Sequence, residues 1–77
     1  MKIYCITENN DLEIGLKLAG CEGITLQEND NVEEKIDEVV KTNEIGILVV
    51  SKEIYNKAKE KIDGIITNKK LPLVTII

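Results

Sequence analysis

The chain has no histidine, no tryptophan and no phenylalanine, and a single proline. Without histidine it lacks the commonest general base and the commonest zinc ligand. Its two cysteines, Cys5 and Cys21, are not a disulfide framework in a chain with no secretory signal. Both are expected to be free thiols, Cys5 inside the sheet as a small hydrophobe and Cys21, at the end of helix one, partly exposed. No apolar run approaches the roughly 20 residues of a membrane span. The opening MKIYCIT is too short, and too polar afterwards, for a signal peptide. The expected location is therefore the cytosol. There is no GxGxxG and no GKS or GKT, so no standard glycine-rich loop is on offer to a nucleotide phosphate. No cofactor and no metal are expected. A net charge of −4 argues against nucleic acid as a partner.

The charge is also uneven. Residues 8 to 44 carry 11 acids and 3 lysines, a net of −8, whereas residues 45 to 77 carry 3 acids and 6 lysines, a net of +3. Lys2 supplies the remaining positive charge. Such asymmetry either orients a partner or marks two solvated helix faces of opposite sign.

What the chain does have is a spine. Ile45, Ile47, Leu48, Val49 and Val50 form its most hydrophobic stretch, EIGILVVSKEIY. A run apolar on both alternating faces reads as a strand covered on both sides, as in a parallel sheet between helices. Ser51, Lys52 and Glu53 then read as a helix start. At 77 residues, 43% hydrophobic and 31% charged, the chain is expected to be one globular α/β domain with a modest core.

Other elements follow in order. KIYCIT (residues 2–7) predicts a first strand. After the polar loop Glu8–Asp11, in which Asn10 or Asp11 can cap a helix, Leu12, Leu16 and Ala19 recur at helical spacing, with Ile14 and Leu18 widening the stripe. Gly15 inside this helix suggests close approach to a sheet. Gly20 and Gly23 predict the C-cap and turn. Ile24, Thr25 and Leu26 predict a short second strand. Asn31 followed by Glu34 approximates a capping box. Val32, Ile36, Val39 and Val40 then predict an amphipathic second helix, with Glu33, Glu34, Asp37, Glu38 and Lys41 outward and Thr42-Asn43 at its end. A third helix after Ser51 aligns Ile54, Ala58, Ile62 and Ile65, with Gly64 at or near its end and a loop from Thr67 to Lys70. Leu71-Pro72 precedes strand four, residues 73–77.

A helix in each gap between strands implies parallel strands joined by right-handed crossovers. The expected fold is α/β: a four-stranded parallel sheet, order 2-1-3-4, with three helices distributed over both faces, an abbreviated flavodoxin-like sheet. Handedness places helix one on one face and helices two and three on the other. One helix cannot cover four strands, so one face beside strands three and four should be bare. Part of strand four, either Leu73, Thr75 and Ile77 or Val74 and Ile76, is therefore expected to lie under another segment or a partner.

In such sheets ligands bind at the carboxyl ends of the strands, where strand order reverses. That crevice lies between the Thr7–Asp11 loop and the Ser51–Glu53 turn. Glu8 and Asp11 there invite comparison with a response-regulator receiver, but Ser51 stands where a receiver needs its phosphoacceptor Asp. A phosphocysteine transporter domain would open a Gly/Ser-rich loop after Cys5; here Ile6 and Thr7 continue the strand. Glu8 and Asp11 read as loop and cap residues, and Glu33/Asp37 as a solvated pair on a helix face. No catalytic residue is expected.

The polar loop ending in Asp11, GLKLAG (Gly15 to Gly20), Glu22-Gly23, the acidic helix, IGILVVSKEI (Ile45 to Ile54) and the Leu71-Pro72 of LPLVTII occur in the order found in the F-subunit of the V-type (A/V-type) ATP synthase. The chain resembles that family over essentially its whole length. Members usually continue past the last strand into a C-terminal helix, so the resemblance implies that residues 1–77 are the globular N-terminal domain. It also implies a non-catalytic component of the central rotor stalk, cytoplasmic and peripheral to the membrane. Its partner would be the coiled-coil D-subunit of the stalk and, through it, the catalytic hexamer and membrane rotor. A receiver-like regulatory or phosphotransfer module is the alternative, motivated by the fold class and the acidic first loop.

Overall fold

The computed structural model describes residues 1–42, 44–68 and 72–77. Its elements are β1 (Lys2–Thr7), α1 (Asn10–Leu18), β2 (Glu22–Thr25), α2 (Val32–Lys41), β3 (Ile45–Val50), α3 (Lys52–Lys57), α4 (Lys59–Asn68) and β4 (Leu73–Ile76). The strands form one parallel sheet in the order β2-β1-β3-β4. Fold class and strand order are as the sequence implies. The helix count is not: the expected third helix is two helices, α3 and α4. Ala58 at the joint leaves helical geometry (φ −137°, ψ 38°). The Ile54, Ala58, Ile62 spacing runs through the break unaltered, and all three side chains are buried, so periodicity alone cannot reveal it. Gly64 lies inside α4, which continues to Asn68 beyond the expected loop start at Thr67. Asn43, Lys69, Lys70 and Leu71 lie outside the described residues.

Most of the core lies on one face of the sheet. Ile6 of β1, Leu48 and Val50 of β3, Ile36 of α2, Ile54 of α3 and Ile62 of α4 pack into one cluster with Leu26 and Ala58. Burying each large aliphatic side chain there contributes about 1.5–3 kcal/mol. Side chains alternate along a strand, so Ile3, Cys5 and Thr7 point to the opposite face, as do Ile47 and Val49. That second face carries α1, which packs on β1 and β2.

Polar side chains set the helix starts. Asn9, not Asn10 or Asp11, caps α1: its Oδ1 accepts the N–H groups of Asp11 (2.9 Å) and Leu12 (3.2 Å). Asn31 caps α2 by accepting from the Glu34 N–H at 3.1 Å, as the sequence implies, and Thr42 ends that helix. Its outward residues Glu33, Glu34, Asp37, Glu38 and Lys41 are all exposed. At the end of α1 the Cys21 N–H bonds to the Leu16 carbonyl and the Gly20 N–H to that of Lys17. This Schellman closure needs a left-handed residue, supplied by Gly20 at φ 96°.

Four expectations about this part of the chain are corrected. Gly23 is not a turn residue but lies in β2, where a Cβ would come within 2.7 Å of the Cys5 carbonyl oxygen. Leu26 follows β2 rather than forming part of it. Ile14, Leu18 and Ala19 do not extend the buried stripe of α1 and are exposed. Glu13 takes the sheet-facing position instead. Its carboxylate accepts from the Thr25 hydroxyl at 2.5 Å and pairs with Lys17 at 2.7 Å. Gly15 does not mark close approach to the sheet, because a Cβ there meets nothing within 4 Å.

Two outcomes follow. Open space around Gly15 and Gly64 means that Gly15→Ala and Gly64→Ala each stabilise the domain by about 0.5–1 kcal/mol in urea titrations. The thiols differ as well: burial pushes Cys5 up to about 11, whereas Cys21 is partly exposed. Iodoacetamide at neutral pH should add one carbamidomethyl group, at Cys21, to the folded chain, and a second at Cys5 only in denaturant. Intact mass with peptide mapping reads both.

Candidate functional site

Two places concentrate surface features. The first is the strand-order reversal at the carboxyl ends of β1 and β3. Thr7 ends β1, and its hydroxyl accepts the Asn9 N–H at 3.0 Å, which turns the chain into α1. Glu8 then reaches across to the start of α3, where the Ser51 hydroxyl donates to its Oε2 at 2.6 Å. The same hydroxyl accepts the Ile54 N–H at 3.2 Å and so caps α3. Ser51 is the helix start anticipated from sequence, and both capacities of its hydroxyl are occupied. Glu8 is more than a loop residue: it ties β1 to α3. Asp11 lies in the first turn of α1, at its positive end.

Partial burial opposes ionisation of Glu8, but the Ser51 hydroxyl, its own backbone N–H, Glu53 and the nearby Lys57 charge outweigh it. The carboxyl is therefore held below its ordinary value. Glu8 and Lys57 also line a groove of about 340 Å³ with Leu26, Gln27, Glu28, Val32 and Ile54. Among the described residues every buried side-chain nitrogen and oxygen has a hydrogen-bond partner. No three of their His, Cys, Asp or Glu side chains gather as metal ligands would. The pair Glu33/Asp37 is not simply solvated, since Asp37 bonds to Lys61 at 2.8 Å and ties α2 to α4.

The second place is the α1 face of β3 and β4. Strand register aligns Ile3, Ile47 and Leu73 in one row across β1, β3 and β4. Ile77 lies two pleats beyond Leu73 on the same face. Leu73 is 59% exposed, Ile77 44% and Ile3 40%, and Thr75 between them is exposed as well. Val74 is half-buried against the main core on the other face. Of the two sets singled out in strand four, Leu73, Thr75 and Ile77 thus belong to the bare face, and Val74 and Ile76 to the helix-covered one.

The position of α1 explains the bareness. A helix is about 10 Å across and adjacent strands are about 4.8 Å apart, so one helix covers two strands. Glu13 is anchored to Thr25 on β2. On this face Val49 of β3 is buried and Ile47 half-buried, so the open part is β4, with Ile3 at the start of β1. The alignment of Ile3 and Ile47 with Leu73 was not identifiable from spacing, because it depends on strand register.

Ionised Glu8 and Glu13 are each favoured by the fold; for Glu13 the Lys17 ammonium is the largest cause, followed by the Thr25 hydroxyl. A carboxyl with a depressed folded pKa stabilises above its unfolded value and loses that contribution as pH falls through the folded one. Stability should therefore decline below about pH 4.5. Glu8→Gln and Glu13→Gln should each lower the urea midpoint at pH 7 and flatten its fall toward pH 3. Ser51→Ala should cost about 1 kcal/mol through the lost cap and flatten the same profile.

No helix among the described residues is long and apolar enough to cross a membrane. No curated protein and no solved structure matches the chain significantly. A family model does match, that of the ATP synthase (F/14-kDa) subunit, over residues 3–77. With nearly the whole chain matched, and with the ordered motifs from Gly15 to Pro72 carried on this sheet, the chain belongs to the ATP synthase (F/14-kDa) family and is an F-subunit of a V-type ATP synthase.

Proposed function

We propose that this chain is a non-catalytic part of the central rotor stalk of a V/A-type ion-translocating ATPase or ATP synthase. Residues 1–77 act as one α/β docking domain. Its partner is the coiled-coil D-subunit of the stalk, through which it joins the catalytic hexamer and membrane rotor and helps to couple rotation to ion transport. It works at the cytoplasmic side, peripheral to the membrane and without inserting into it. The observation that carries this reading is the exposed α1 face of β4, Leu73, Thr75 and Ile77, in a chain of this family.

Within Leu73–Ile77, the stalk helix covers Leu73, Thr75 and Ile77 together with Ile3 and Ile47. Val74 and Ile76 support the strand from the other side. Contiguous apolar patches of this kind mark interaction sites more often than idle surface. The acidic α2 surface biases the approach of a charged partner without supplying most of the affinity.

Size exclusion of the chain mixed with the coiled-coil stalk protein tests the reading. Co-migration is expected, and Leu73→Asp, at an exposed position, should abolish it while leaving the circular dichroism spectrum unchanged. If neither this chain nor a version carrying the family's C-terminal helix co-migrates with the stalk protein, the proposal falls. Co-migration of the longer version alone would move the binding energy from the sheet face to that helix.

A further inference from the structure

The free edge of β4 carries a different feature from its face. Ile77 donates its N–H to the Val50 carbonyl at 2.9 Å, and its own carbonyl accepts the Lys52 N–H at 3.0 Å. Its backbone groups therefore point inward, toward β3. In a parallel ladder the inward residues alternate with outward ones, so Thr75 and Leu73 also point inward. Val74 and Ile76 turn their N–H and carbonyl groups out, to the sheet edge. An edge of this kind is a template for another strand.

Natural edges are blunted by charge, proline or a bulge. Over Leu73–Ile77 this one has none of these: the residues are uncharged, and the single proline precedes them at position 72. The edge is also flanked by apolar side chains on both faces. Leu73 and Ile77 flank it on the α1 side. On the α4 side Ile76 is 37% exposed. Ile66 of α4 is 45% exposed and turns away from Lys61, the residue that faces α2 through Asp37. It therefore overhangs the outer edge. Half of the large apolar side chains most exposed among the described residues sit in this belt.

We infer that a second copy of this chain pairs antiparallel along β4, extending two four-stranded sheets into one of eight strands. The strand is self-complementary in one register. Centring the two-fold on Thr75 opposes Val74 to Ile76 of the second copy, and the converse. Both residues have outward backbone groups, so each pair exchanges two hydrogen bonds. Leu73 then opposes Ile77 on one face, and the two Thr75 side chains meet at the axis, a favourable cross-strand pairing. Centring on Val74 instead would set Ile76 against Pro72, which has no N–H to donate. The proline thus disfavours that register. Self-pairing of this kind forms a closed, isologous dimer.

The belt of four partly exposed aliphatic side chains is on the order of a few hundred Å² per copy. Doubled, it falls short of the ~1,600 Å² of a stable complex. The dimer is accordingly weak. It adds a strand to the main-chain edge at Val74 and Ile76, whereas docking to the stalk coiled coil covers the face; Leu73, Thr75 and Ile77 border both, and amide exchange of Val74 and Ile76 tells failure of the one from failure of the other.

Sedimentation velocity of the chain from ~10 μM to ~1 mM, with amide exchange measured in parallel, tests the inference. The expected result is a rise from monomer to dimer mass, with Val74 and Ile76 amides gaining protection in step. Thr75→Lys, which sets two ammonium-bearing chains opposite each other across the axis, should weaken the dimer at least ten-fold and keep the monomer's circular dichroism spectrum. A chain still monomeric at ~1 mM, a dimer with Val74 and Ile76 unprotected, or undiminished dimerisation of Thr75→Lys would overturn it. Should Thr75→Lys not fold, the exchange of Val74 and Ile76 in the unaltered chain decides the matter alone.

Discussion

A helix covers two strands, and a four-stranded sheet therefore needs two helices on each face. Most of what distinguishes this molecule follows from that mismatch in widths. The order β2-β1-β3-β4 puts α2, α3 and α4 on one face and leaves α1 by itself on the other. The helix-rich face closes over Ile6, Ile36, Leu48, Ile54 and Ile62, all fully buried. The α1 face buries Cys5, Thr7 and Val49 but leaves the last strand open. What remains exposed is Leu73, Thr75 and Ile77, with Ile3 at the start of β1.

The polar groups tell a complementary story. In open α/β sheets the strand-order reversal is where ligands and chemistry are found. Here Ser51 spends its hydroxyl on Glu8 and on the first turn of α3. Thr7 and Asn9 shape the neighbouring turn in the same way. These side chains convert a position often used for binding into a joint between β1, α1 and α3. The interaction features of the domain lie instead on apolar surface, at the far strand of the sheet. That division is compatible with membership in the ATP synthase (F/14-kDa) subunit family.

The two interaction proposals draw on different groups of one strand. Side chains of Leu73, Thr75 and Ile77 form a face that a helix can cover. Main-chain groups of Val74 and Ile76 form an edge that a strand can extend. Both are present because β4 is the last strand of the order, with a neighbour on one side only.

The sequence by itself determined the elements that depend on short-range chemistry. Alternation and β-branched runs marked β1, β3 and β4. The helical spacing of Val32, Ile36, Val39 and Val40 marked α2, and Asn31 and Ser51 announced two helix starts. The β-α rhythm and the rule of right-handed crossovers carried the strand order and the prospect of a bare face. Tertiary structure alone decided the rest. The break at Ala58 leaves the apolar period intact, so no pattern reports it. Glu13 lies outside the apolar residues of α1, and only Thr25, twelve positions away, gives it a partner on the sheet. Ile14 and Leu18 matched an apolar stripe, but the packed helix turns Leu12, Glu13 and Leu16 inward and leaves those two exposed. Which half of strand four is bare depended on which side of β3 the larger core formed. Local chemistry is written in neighbouring residues. Register, helix rotation and the choice of face are set by contacts between residues far apart in the chain, and only the packed sheet brings those together.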